Sequence, residues 1–130
     1  MLAGRRALTW RFRQSIDYWS VPHFLLGTLV ALIGGVFSLP AWPLLFVTLI
    51  VAVLWEIFEM RLRIREARLN VASDIVLPLL AYVATLWLTG GTDMTHERMI
   101  ALLIVAVIFY VLANYAAWAA RMSLDPDFQG

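Results

Sequence analysis

Residues 18–55 read YWSVPHFLLGTLVALIGGVFSLPAWPLLFVTLIVAVLW, a run of 38 residues between Asp17 and Glu56 with no Asp, Glu, Lys or Arg. A hydrocarbon layer about 30 Å thick takes roughly 20 helical residues, so the run is too long for one ordinary membrane helix. It divides at Ser38-Leu39-Pro40-Ala41-Trp42-Pro43, where one helix ends and the prolines suit the start of the next. The expected spans are 21–39 and 41–60. Working outward, a basic segment at 61–68 precedes a third apolar stretch at 70–88, which stops at Thr89-Gly90-Gly91. A polar loop at 92–98 leads to a fourth, at 99–120, and a polar tail closes the chain. The expected fold is all-α: one domain, 1–130, forming a polytopic membrane four-helix bundle.

Composition agrees. The chain has 130 residues, 62% of them apolar and 15% charged, with a mean hydropathy of +0.81. Soluble domains average roughly 45–50% apolar, and one this small could not hide the excess. A disordered chain, a nucleic-acid arm and a small soluble enzyme are all disfavoured. Cysteine is absent, which excludes disulfides, thiol catalysis and cysteine-ligated metal. All ten basic residues are Arg, which excludes a lysine Schiff base. A net charge of +1 implies no nucleic-acid partner.

Alternating helix directions collect Arg5, Arg6, Arg11, Arg13, Arg61, Arg63, Arg65, Arg68 and Arg121 on one side and Arg98 alone on the other. That asymmetry predicts cytoplasmic termini in a bacterial-type plasma (inner) membrane, with the lipid bilayer as the constant partner. Trp42 and Trp87 fall near the outer interface, and Trp10, Trp19, Trp55 and Trp118 near the inner one, as in an aromatic belt. Residues 5–20 mix Arg with Leu8, Trp10, Phe12, Ile16 and Trp19. They form either an N-terminal interfacial amphipathic helix or an extended basic leader. The apolar run that follows is too long for a cleaved signal. No internal repeat supports an inverted-repeat transporter.

Ionisable groups inside a membrane are costly and are candidates for function. The uncharged stretch 41–55 covers only about 22 Å, so Glu56 falls inside the apolar layer and Glu59 near its edge. At i and i+3 they share a face. Two such carboxylates share a proton, meet Arg or bind a cation. Pairing of Glu59 with Arg63 at i+4, and of Glu56 with a nearby Arg, is the bland alternative. Asn70 and Asp74 lie one turn apart, and Pro78 continues their face. Asn70 or Ser73 could instead cap the helix, and Asp74 in a first turn suits the helix dipole.

His23 heads a stripe of Gly27, Ala31 and Gly35 at i+4 steps, which brings membrane helices close. The stripe serves an intramolecular neighbour, a homo-oligomer or a larger membrane complex. Asn114 follows Tyr110 by one turn and suits an interhelical hydrogen bond.

His23, Glu56, Glu59, Asn70, Asp74 and Asn114 all fall in the inner half of their helices, and this coincidence is the main sequence signal for a site. His23, Glu56, Glu59 and Asp74 are the candidate metal ligands. The set suits a divalent ion such as Mg²⁺, Mn²⁺, Fe²⁺ or Zn²⁺, or acid–base work on a lipid head group. No nucleophile motif is present, so no reaction is assigned. His96-Glu97 lacks a second His and reads as a solvated pair.

Trp55-Glu56-x-x-Glu59 and Asn70-x-x-x-Asp74, after an early His23, resemble small bacterial membrane proteins of the VanZ-like type and neighbouring uncharacterised families. The resemblance covers about residues 15–80. In VanZ-like proteins an Asp precedes a His at the first membrane helix, and Asp17 and His23 match that order. Glu59 stands where that family has Gln, and Asn70 precedes Asp74 where the family has Asp first. The resemblance implies a compact multi-helix bundle with one polar cluster at a membrane face. The departures separate this chain from the family's link to glycopeptide resistance.

Three functions are compatible with these features. The first is a small integral membrane protein with an inner-leaflet polar pocket that binds a cation or polar head group. The second is a non-catalytic accessory subunit of a larger membrane complex. The third, a small proton-coupled exporter, ranks last because the first helix carries no Glu.

Overall fold

A computed structural model describes residues 19–62 and 68–124. They form four helices: α1 (Ser20–Val36), α2 (Ala41–Arg61), α3 (Arg68–Gly90) and α4 (His96–Leu124). The described residues are therefore all-helical, as expected. Of the segment 5–20, expected as an interfacial helix or a leader, residues 5–18 lie outside the described residues, as do Arg63 and Arg65, and Ser20 opens α1.

The boundaries moved for local reasons. α1 ends at Val36, three residues before the expected Leu39. Ser38 takes a left-handed conformation at φ 53°. Leu39 N–H donates to the Gly34 carbonyl at 2.8 Å, and Ser38 N–H to Gly35 at 3.4 Å. This pairing closes the orphan carbonyls of the last turn as a Schellman cap, and Pro40 follows it. A left-handed Ser costs roughly 1–2 kcal/mol, which Gly avoids at a smaller entropic cost. Ser38→Gly is thus expected to stabilise the bundle by about 0.5–1 kcal/mol, read as a higher Tm in detergent.

α4 begins at His96, earlier than the expected Met99, because Thr95 Oγ1 accepts the Arg98 N–H at 3.3 Å and Glu97 suits the first turn. It runs on to Leu124, past the expected Ala120.

α2, α3 and α4 are long and apolar enough to cross a membrane, and α1 is a shorter apolar helix of 17 residues. Burial is distributed as a bilayer demands. Phe46, Ile50 and Leu54 on α2 and Ile104, Ile108, Val111 and Tyr115 on α4 face outward. The interior holds Gly27, Ala31, Thr48, Ala52, Glu56, Asp74 and Ala81. A water-soluble chain would invert that pattern.

α1 is the central helix. It packs against α3 most closely, against α4 and against α2, while α3 also packs on α2. Among the described residues, α4 rests its backbone on α1 alone. Leu29 and Leu32 of α1 meet Ala106, Met99, Leu103 and Tyr110 of α4 in the main apolar cluster.

The α1 stripe turns to the chain's own helices. A Cβ on Gly27 would fall on the Pro78 carbonyl oxygen of α3, and one on Gly35 would fall on Met99 Sδ of α4. The intramolecular neighbour is thus the one the stripe meets at these two positions.

Candidate functional site

The buried polar residues gather at one end of the bundle, where α1 and α3 begin and α2 ends. Asp74 is fully buried. Its Oδ1 accepts a hydrogen bond from Ser20 Oγ at 3.1 Å, and its Oδ2 accepts one from Asn70 Nδ2 at 3.0 Å. Asn70 and Ser73 both lie inside α3, because that helix begins at Arg68. Asn70 therefore serves Asp74 and does not cap the helix. Ser73 Oγ donates to the Leu69 carbonyl at 2.9 Å. Pro78, one turn on from Asp74, has no N–H for the Asp74 carbonyl.

His23 is 4% exposed, and its Nδ1 lies 3.1 Å from Asp74 Oδ1. Nδ1 thus faces the Asp74 carboxylate at ion-pair distance, while Nε2 makes no hydrogen bond. A buried ring nitrogen with no hydrogen bond, as at Nε2, is costly. Glu56 of α2, 3% exposed, completes a group of three. One ligand atom each from His23, Glu56 and Asp74 lie within 4.8 Å of one another. Ligand atoms around a first-row divalent ion, at roughly 2.1 Å each, sit about 3–4 Å apart. The trio needs only small side-chain adjustments to close on such an ion.

Glu59, the fourth expected ligand, stands one turn further along α2 and is not part of that group. It is buried, and its Oε1 lies 3.8 Å from the Arg121 guanidinium of α4. Arg121 also lies over the Trp19 ring, 4.9 Å from its centroid. Trp19 meets Trp118 edge-on at 5.1 Å and Trp55 tilted at 6.3 Å, and Trp55 meets His23 edge-on at 6.5 Å. Trp42 and Trp87 are widely exposed at the other end. Trp19, by contrast, is 3% exposed. Trp55 and Trp118 thus pack on Trp19, and Arg121 lies over the Trp19 ring.

Asn114 is half-buried, and its Nδ2 donates to the Tyr110 carbonyl of its own helix at 2.8 Å. The interhelical bond expected of it is not the one this donor makes. His96 is exposed, as a solvated residue should be.

Of the six residues singled out by depth, His23, Glu56, Asn70 and Asp74 are brought together and Glu59 lies beside them. Ser20 and Arg121 were missed. Ser20 lies three residues before His23 and so on its face. Arg121 is a lone charge at the end of an apolar helix, placed at the same membrane side as the cluster by the alternation of helix directions.

No family model, curated protein or solved structure matches the chain. The functional reading therefore rests on this geometry.

Proposed function

We propose that the chain is a small integral membrane protein that binds a divalent cation in a buried centre formed by His23, Glu56 and Asp74. In this reading α1 is the fourth span. The arginine-rich end, with both termini, faces the cytoplasm of a bacterial-type plasma membrane. The observation that carries the proposal is His23, a buried imidazole with Nε2 not hydrogen-bonded and Nδ1 3.1 Å from one carboxylate, grouped with a second. Imidazole with carboxylates suits Zn²⁺, Mn²⁺ or Fe²⁺ better than the all-oxygen ions Ca²⁺ and Mg²⁺. Ser20 and Asn70 would act as the outer layer that orients the Asp74 carboxylate. The motif resemblance to VanZ-like proteins fits the same picture of one polar cluster at a membrane face.

A second reading has its own observation. Both Asp74 oxygens already accept hydrogen bonds, so the cluster could act as the polar glue of an accessory subunit.

Elemental analysis of the detergent-purified protein separates the two. Wild type is expected to hold one equivalent of a transition metal after incubation with Zn²⁺ or Mn²⁺ and desalting. Glu56→Gln and Asp74→Asn are expected to hold less than a tenth of that while keeping wild-type helicity. Equal metal in wild type and both variants, or none in any, would remove the cation reading and leave the structural one.

A further inference from the structure

We infer that one buried water bridges His23 Nε2 and Trp55 Nε1, and that Trp55 is thereby a positioning residue for the imidazole. The bridge itself needs no metal. Its effect on cation affinity rests on the cation site proposed above.

His23 is held on one edge only. Its Nδ1 faces Asp74 Oδ1 at 3.1 Å, and Asp74 accepts in turn from Ser20 and Asn70. The two nitrogens of an imidazole point apart, so the group that serves Nδ1 does not serve Nε2. Nε2 is buried and makes no hydrogen bond among the described residues. Trp55 lies beside the same ring, with centroids 6.5 Å apart and planes crossed at 81°. Trp19 at 6.3 Å and Phe58 at 5.7 Å flank the indole. Trp55 as a whole is half-buried, yet its Nε1 is sealed inside and also makes no hydrogen bond among the described residues.

The chemistry of the two nitrogens selects the bridging species. An indole N–H only donates. Nε2 accepts when Nδ1 carries its proton toward Asp74, and donates when Nδ1 is the deprotonated ligand of a cation. The bridge must therefore accept from Trp55 always, and must either donate to Nε2 or accept from it. Water does both. A carboxylate or carbonyl cannot donate, and an anion would also stand close to the carboxylates of Glu56 and Asp74. Two bonds of about 2.9 Å meeting at one oxygen span roughly 4.5–5.5 Å between nitrogens, within reach of rings whose centroids are 6.5 Å apart. Ordering one water costs less than leaving two buried polar groups unpaired.

A metal-binding imidazole works well only when its other nitrogen is held, and a water is one of the usual partners. In this arrangement the Trp55-Glu56 pair divides the work. Neighbours on a helix point about 100° apart, so Glu56 joins the ligand group while Trp55 steadies the His23 ring.

Nuclear magnetic resonance of ¹⁵N-labelled protein in detergent tests the bridge. The chain has six Trp and two His, so its indole and imidazole signals are few, and Trp55→Phe and His96→Gln assign the ones needed. In metal-free wild type, the Trp55 indole proton is expected to show magnetisation transfer with a long-lived water. Trp55→Phe is expected to move the His23 Nε2 resonance and leave His96 in place. Trp87→Phe, which removes an exposed indole at the other end, should move neither. Zn²⁺ affinity is expected to fall about tenfold in Trp55→Phe and not at all in Trp87→Phe.

No water contact at the Trp55 indole proton of wild type would overturn the bridge, and that measurement needs no variant to fold. An unmoved His23 Nε2 resonance in Trp55→Phe would overturn it too, and any loss of Zn²⁺ affinity would then belong to packing alone. Wild-type Zn²⁺ affinity in Trp55→Phe would overturn the positioning role. Failure of wild type to bind Zn²⁺ would defeat the cation reading, while the water contact still decides the bridge.

Discussion

Asp74→Ala is expected to be the most damaging single polar substitution in the chain, and Asp74→Asn to separate its two roles. Asp74 accepts from Ser20 and Asn70, and His23 lies against it. Alanine removes the hydrogen bonds from the Ser20 hydroxyl and the Asn70 amide, takes the neighbouring carboxylate from His23, and opens a void. Each buried hydrogen bond lost to a charged acceptor costs about 1.5–3 kcal/mol. Two such bonds and the lost volume give a total of about 3–6 kcal/mol, comparable with the whole stability of many small domains. Asparagine keeps the shape and one acceptor oxygen, which still serves Ser20. Its amide then opposes the Asn70 amide, a conflict that rotation of the Asn70 side chain relieves. The expected cost of Asn is about 1–2 kcal/mol, small enough to leave a folded bundle. Thermal unfolding in detergent ranks wild type, Asn and Ala in that order. Cation binding falls in both variants, because the ligand charge is gone from each. A wild-type Tm for Asp74→Ala would show that the hydrogen bonds at this carboxylate do not hold the bundle.

The membrane character and the number of helices were legible because they depend on quantities the sequence displays directly. The 38-residue uncharged run exceeds one span, and the prolines at 40 and 43 divide it. The helix ends were less legible because they depend on backbone hydrogen bonds. The left-handed turn at Ser38 ended α1 early, and a Thr cap started α4 early. Neither Ser at C′ nor a lone Thr before His is a strong signal beside Gly or a full capping box.

The polar centre was partly legible for a geometric reason. Depth along a helix can be counted from the sequence, and His23, Glu56, Asn70 and Asp74 proved to share a depth and a contact. Azimuth cannot be counted until the neighbours are known. Asn114, at a similar depth, sits on a helix whose backbone, among the described residues, packs against α1 alone, and its amide turned back to the Tyr110 carbonyl. Glu59 shares a face with Glu56, yet a guanidinium 62 residues along the chain reaches it. The nearer expectation, Arg63 at i+4, lies outside the described residues. Two tryptophans assigned to a belt, Trp19 and Trp118, instead stack on one another beside that guanidinium.

The other large effect is expected at a residue with no polar atom in its side chain. Gly27→Ala adds one methyl group where α1 crosses α3, and that methyl would fall on the Pro78 carbonyl oxygen, with the Pro78 carbonyl carbon and Cα also close. Backbone cannot move aside by changing rotamer, so the helices must separate. Overpacking of this kind costs about 1–3 kcal/mol, and here no flexible group absorbs it. Against this, Gly→Ala in a helix interior gains up to about 1 kcal/mol of propensity. Packing therefore wins at Gly27, by about 2 kcal/mol. The same substitution has other outcomes elsewhere in the chain. At Gly34 the new methyl meets the tip of Leu44, a side chain that can turn away, so gain and cost nearly cancel. At Gly90 nothing lies within 4 Å, and the change should be neutral or mildly stabilising. The expected order of Tm in detergent is Gly90→Ala at or above wild type, Gly34→Ala near it, and Gly27→Ala well below. The consequence for the site follows from the stacking of turns. His23 is one turn from Gly27 on α1, and Asp74 is one turn from Pro78 on α3. Prising the crossing apart lengthens the 3.1 Å approach of His23 to Asp74, so Gly27→Ala should also weaken Zn²⁺ binding while leaving every ligand in place. An unchanged Tm at Gly27, or the same Tm at all three glycines, would mean that the α1–α3 contact is not the tight crossing that holds the centre together.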